Sequence, residues 1–111
     1  MSIETLNVKW AGVEEWFQEN LCSTTVRVEF DGGRWLGWQL HAGKYRLCYT
    51  SAERNEYQAV RPASVEVRVT AAAGLAALLA AARPHLAAQA AAVKKAIDQI
   101  DEAFEPFRDH T

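Results

Sequence analysis

Residues 24–50, TTVRVEFDGGRWLGWQLHAGKYRLCYT, read as three antiparallel strands joined by two tight turns. Successive side chains in a strand point to opposite faces, so Val26, Val28 and Phe30 share one side of the first run. Leu36, Trp38 and Leu40 do the same in the second, and Tyr45, Leu47 and Tyr49 in the third. A three-residue loop, Asp31-Gly32-Gly33, pairs Val28 with Leu36 and Val26 with Trp38; its glycines supply the left-handed backbone such a loop needs. A two-residue loop, Ala42-Gly43, pairs Leu40 with Tyr45, Trp38 with Leu47 and Leu36 with Tyr49. Both registers put all nine apolar side chains on one face, and a slip of one residue in either turn would split the set.

The other face then carries Arg27, Glu29, Trp35, Gln39, His41, Arg46, Cys48 and Thr50, with a gap at Gly37. It reads either as a solvated face, with one large ring lying in the gap, or as a docking platform, since Arg and Trp are common interface anchors.

Upstream, Ile3, Leu6, Trp10, Val13, Phe17 and Leu21 recur at helical spacing and form one apolar stripe. A helix capped by Ser2 is the favoured reading, with the stripe covering the apolar face of the meander. A strand over 3–9 followed by a helix from Ala11 is the competing one. Trp16 lies off the stripe and is expected to be partly exposed.

Downstream, a polar turn at 51–56 leads to a short strand over 57–60, broken by Arg61-Pro62. Val65, Val67 and Val69 alternate with Glu66 and Arg68. This favours a further strand with Arg68 facing outward, although Ser64 would equally cap a helix. Residues 71–96 contain 14 alanines in 26 positions, which points to helix, with Thr70 as its cap. In the first segment Leu75, Leu78, Leu79 and Ala82 form the apolar side. Pro84 either kinks one helix or starts a second. Leu86, Ala90, Val93, Ile97, Ile100 and Phe104 then step by 4, 3, 4, 3 and 4, a narrow heptad seam ended by Pro106. The simpler use of that seam is packing within its own domain; the other is a homodimer through the C-terminal helix.

The fold expected is therefore α+β in one domain: an N-terminal helix over 1–21, an antiparallel three- to four-stranded meander over 24–70, and an alanine-rich helical region over 71–105. At 111 residues, 50% hydrophobic and 23% charged, the chain has an ordinary globular balance. A net charge of −2 provides no global attraction to nucleic acid. The charge is spread unevenly: −3 over 1–23, +2 over 24–70 and −1 over 71–111.

No basic segment followed by an apolar core opens the chain, and Arg83, Pro84, His85, Lys94 and Lys95 interrupt the alanine region, so neither a signal peptide nor a membrane span is expected. Cys22 and Cys48 sit in no metal or redox spacing, which suggests thiols in the cytoplasm. His41, His85 and His110 form no ligand motif, Glu14 and Glu15 point apart on a helix, and DGG is a hairpin turn rather than a phosphate loop. His41 pairs opposite Lys44 rather than Cys48, which argues against a Cys–His site.

The expectation is thus a protein with no catalytic residues, no metal and no cofactor. It would act as an adaptor, chaperone or inhibitor of a protein partner through Arg27, Trp35, Gln39, His41, Arg46 and Arg68. Nucleic-acid binding by the same Arg/Trp face is the alternative, opposed by Glu29, Glu66 and the acidic total. In element order and size the chain resembles the small acidic secretion chaperones of the type III class, and equally small phage or plasmid inhibitors of host machinery. The resemblance implies a protein partner, rests on no motif and carries no residue across.

Overall fold

The computed structural model describes residues 2–51 and 56–108. Its elements run α1 (Ile3–Asn20), β1 (Val26–Phe30), β2 (Arg34–His41), β3 (Lys44–Thr50), β4 (Gln58–Ala59), α2 (Val65–Ala72) and α3 (Leu75–Arg108). The architecture is α+β, with a sheet of order β1-β2-β3-β4 in which neighbours are antiparallel. The polar turn expected at 51–56 lies mostly outside the described residues.

The meander has the register read from its alternation. Val26 faces Trp38 and Val28 faces Leu36; Trp38 faces Leu47, Leu40 faces Tyr45 and Leu36 faces Tyr49. Ala42 and Gly43 take φ of 50° and 88°, the left-handed pair that a two-residue hairpin requires. Asp31, Gly32 and Gly33 all take positive φ in the other turn.

The helix reading of residues 3–20 holds as one element. Ser2 Oγ accepts the Thr5 N–H at 3.1 Å, closing the first turn. Trp10 and Phe17 are buried, and Phe17 stacks on Trp38 with centroids 5.5 Å apart. The Trp38 indole Nε1–H donates to the carbonyl of Leu21 at 2.5 Å, so the largest core ring also has its polar atom satisfied. The base of α3 completes the core with the fully buried Leu78 and Ala82. Of the nine apolar sheet residues, Leu40 escapes the cover and is 61% exposed.

Three expectations are corrected: the strand over 64–70, the cap at Thr70 and the helix end at Pro106. The strand over 64–70 is a helix. Ser64 caps it by accepting the Val67 N–H at 3.3 Å, and the following Thr-Ala-Ala run favours helix over three alternating valines. The sheet accordingly ends at Ala59, and Thr70 lies inside α2 rather than capping the next helix. The break between the alanine-rich helices falls at 73–74, where the axis turns by 59°. Gly74 is needed there, because a Cβ would lie 2.6 Å from the Phe30 ring. Of the two readings of Pro84, the one that keeps it inside a single helix holds, while Pro106 does not end that helix; both lie inside α3. The carbonyls of Ala80 and Glu102, which lose their partners to these prolines, belong to exposed residues that water reaches.

The seam does not pack within its own domain. Leu86 still touches the core, and Gln89 Nε2–H donates to the Asn20 carbonyl at 2.9 Å, tying α3 to the end of α1. Beyond that point every described α3 residue is exposed. The molecule is 63 Å long with a radius of gyration of 18.6 Å, against about 13 Å for a compact chain of this length.

Candidate functional site

α1, β3, α2 and the turn after β4 converge on a cleft of about 400 Å³ lined by Asn7, Trp10, Arg46, Arg61, Pro62 and Arg68. Its floor is ordered by polar contacts between elements. The Trp10 indole Nε1–H donates to the Arg68 carbonyl at 3.0 Å, and an Arg68 Nη1–H donates to Asn7 Oδ1.

Glu14, one helical turn beyond Trp10 and only 14% exposed, is the sole carboxylate paired to the arginines of this cleft among the described residues. Its Oε1 lies 3.3 Å from Arg61 Nη1, and its Oε2 lies 4.0 Å from Arg46 Nε. Three guanidinium groups thus line the cleft, and Glu14 pairs with two of them; among the described residues Arg68 has no carboxylate partner. Moreover, the Nε atoms of both Arg46 and Arg68 are buried with no hydrogen-bond partner among the described residues. A buried donor on a charged group is costly to leave unmet, so these two Nε atoms mark strain in the packing of the cleft wall.

The six residues expected to form a docking face do not form one surface. Arg46 and Arg68 meet in the cleft, the latter brought there because 65–72 is a helix rather than a strand. Arg27 Nε–H donates to Gln39 Oε1 at 2.6 Å, and its guanidinium lies 5.6 Å from the centre of the Tyr57 ring. The Arg27 stem and Gln39 fill the space at Gly37, which the solvated-face reading assigns to an aromatic ring. Gln39, Cys48 and Thr50 are buried, so the middle of that face is closed. Trp35 is half-buried between Glu29 and Thr50, and His41 stands opposite Lys44 at the hairpin end.

Sequence reasoning misses Arg61, Asn7, Trp10 and Glu14 as cleft residues. In the chain Arg61 reads only as part of a breaker, and Glu14 only as a helix carboxylate pointing away from Glu15.

Cys48 is unsuited to nucleophilic work at neutral pH. Burial pushes its thiol up to about 11, the nearby Arg46 and Arg27 opposing and Glu14 reinforcing that effect. The Tyr57 hydroxyl is also raised, chiefly by burial. Both cysteines are free, Cys22 on the surface and Cys48 within. Among the described residues no three His, Cys, Asp or Glu side chains group to hold a metal, and no single helix is long and apolar enough to cross a membrane.

A second surface lies on the projecting part of α3, where Val93, Ile97, Ile100, Phe104 and Phe107 are each more than half exposed along one line. No family model matches the chain, and no curated protein or solved structure matches it either.

Proposed function

We propose that this protein is a non-enzymatic interaction module, an adaptor, chaperone or inhibitor, that captures an acidic segment of a protein partner in the Arg46–Arg61–Arg68 cleft. The observation that carries this reading is the gathering of three guanidinium groups in one cleft, where among the described residues a single carboxylate, Glu14, is paired to two of them. A carboxylate side chain presents acceptors that match a guanidinium fork. The apolar ring of Trp10 and the Pro62 ring give the flanking residues of such a segment a surface to pack on.

A peptide fits this site better than a nucleic-acid strand. Only Arg46, Arg61 and Arg68 cluster at the cleft, too short a track for a nucleic-acid strand, and Glu14, Glu15 and Glu19 run along the adjoining helix, where they would repel a long polyphosphate backbone. Two unbridged thiols suit a reducing, cytoplasmic setting.

The test is fluorescence anisotropy of a labelled Asp/Glu-rich peptide titrated with the protein, with a serine-substituted peptide and a single-stranded oligonucleotide as competitors. Arg61→Ala changes a half-exposed side chain and is expected to weaken the acidic peptide roughly tenfold. Equal binding of acidic and serine peptides would reject the reading, and displacement by the oligonucleotide alone would replace it with nucleic-acid binding.

A further inference from the structure

The exposed stripe of α3 has a regular spacing. Leu86, Ala90, Val93, Ile97, Ile100, Phe104 and Phe107 step alternately by four and three, so Ala90, Ile97 and Phe104 occupy a positions and Leu86, Val93, Ile100 and Phe107 occupy d positions. The residues on either side of the stripe differ in kind. One edge carries Lys94, Asp101 and Arg108; the other carries Gln89, Ala96 and Ala103. The stripe becomes free just past Gln89, where the hydrogen bond to Asn20 anchors the helix to the rest of the fold.

We propose that this stripe is a self-association surface that pairs antiparallel with the same stripe of a second copy. Antiparallel helices bring an a position opposite a d position. Centring the pair between Ile97 and Ile100 sets Ile97 against Ile100 of the second copy, Val93 against its Phe104, and Ala90 against its Phe107. The smaller side chain meets the larger at each outer layer, which fills the interface evenly. Lys94 then lies beside Asp101 of the second copy, and Asp101 beside its Lys94. On the opposite edge Ala96 meets Ala103, and the small side chains let the backbones approach.

Charge selects this register over its neighbours. Sliding one heptad in one direction puts Lys94 on Lys94 of the second copy. Sliding the other way puts Asp101 on Asp101 and Lys94 on Arg108. A parallel pair sets Gln89, Ala96 and Ala103 against Lys94, Asp101 and Arg108, which forms no ion pair and stacks Phe on Phe and Ala on Ala. Only the centred antiparallel register satisfies both volume and charge. The overlap it needs, residues 90–107, is about 27 Å of helix, and it ends where the fold's own core begins. The acidic-segment cleft plays no part in this pairing, so loss of either one leaves the other intact.

Light scattering coupled to gel filtration, under reducing conditions, tests it. The wild type is expected at twice 12.3 kDa. Lys94→Asp and Asp101→Lys, each alone, set like charges together and are expected to shift the dimer to monomer at least tenfold higher in concentration. Mixing the two single variants sets an arm with two acidic edge positions against an arm with two basic ones. Both ion pairs then form, so a heterodimer is expected; the double variant, with the two charges exchanged, should again pair with itself. All substitutions lie on the exposed arm, and circular dichroism checks that helix content is kept. A monomer at all concentrations would overturn the proposal. So would a dimer indifferent to the charge changes, because it would need a different geometry.

Discussion

Glu14 on α1 reaches the free edge of β3, where its Oε2 accepts the backbone N–H of Leu47 at 3.3 Å. β4 pairs only with Cys48 and Tyr49, so below that point the edge of β3 would otherwise end unpaired. The neighbouring Leu47 carbonyl is taken by the Val60 N–H at 2.9 Å, so the strand edge is closed by one side chain and one backbone group. The same carboxylate lies near Arg46 and Arg61. One residue therefore both closes the sheet and sets the charge of the cleft.

Glu14→Gln separates these two tasks. The amide oxygen still accepts the Leu47 N–H, so the expected loss is about 1 kcal/mol in chemical denaturation. Glu14→Ala leaves that N–H without its partner and should cost about 2 kcal/mol. In the peptide titration Glu14→Gln should tighten acidic binding by removing the one competing carboxylate. Equal destabilisation by both variants would show that the backbone contact contributes nothing.

Two glycine substitutions are expected to act in opposite directions. Gly74→Ala places a methyl 2.6 Å from the Phe30 ring and should destabilise the fold by roughly 1–3 kcal/mol. Gly12 lies within α1 with nothing within 4 Å of an added Cβ, so Gly12→Ala should stabilise by roughly 0.5–1 kcal/mol. Thermal melts of the pair check both signs.

The nine apolar side chains of the meander are not equivalent. Leu47 is fully buried, and Leu47→Ala should cost roughly 2–5 kcal/mol. Leu40 is 61% exposed, and Leu40→Ala should stay within about 0.5 kcal/mol of wild type. Similar losses at the two positions would contradict the placement of α1 and α3 over one end of the sheet.

Cys48 makes stability depend on alkaline pH. Its thiol keeps its proton in the fold up to about 11, compared with a reference value of 9.0. Above pH 9 the native state therefore binds more protons than the open chain. This contribution is fully present below pH 9 and is lost as pH rises toward about 11. Denaturation midpoints across that window should fall more steeply for wild type than for Cys48→Ala. Thiol labelling at pH 8 should modify the exposed Cys22 at once and Cys48 only on unfolding.

Where local pattern and tertiary packing agree, the fold is legible in the chain itself. The meander register follows from period-two alternation and two turns, because any slip would expose half of the apolar set. The α1 stripe is equally plain at its core end, with Trp10, Phe17 and Leu21 all buried. Residues 64–70 mislead because three alternating valines satisfy a strand pattern, while the cap at Ser64 and the alanines after it decide for helix. The break at Gly74 hides behind the more conspicuous Pro84, since the ring that requires glycine there, Phe30, lies on a distant strand. The arginine cleft is half legible. Arg46 and Arg68 stand out by type, but the helix that brings Arg68 beside Trp10 and the turn that delivers Arg61 are tertiary facts.

Small-angle scattering from the purified protein bears most directly on the proposed pairing of two copies through the projecting helix. One copy is 63 Å long. Two copies joined over 90–107 should give a particle roughly 100 Å long, with the two cores at opposite ends and a second maximum in the distance distribution. A profile that fits a single 63 Å particle at every concentration, or two cores side by side at one end, would contradict it.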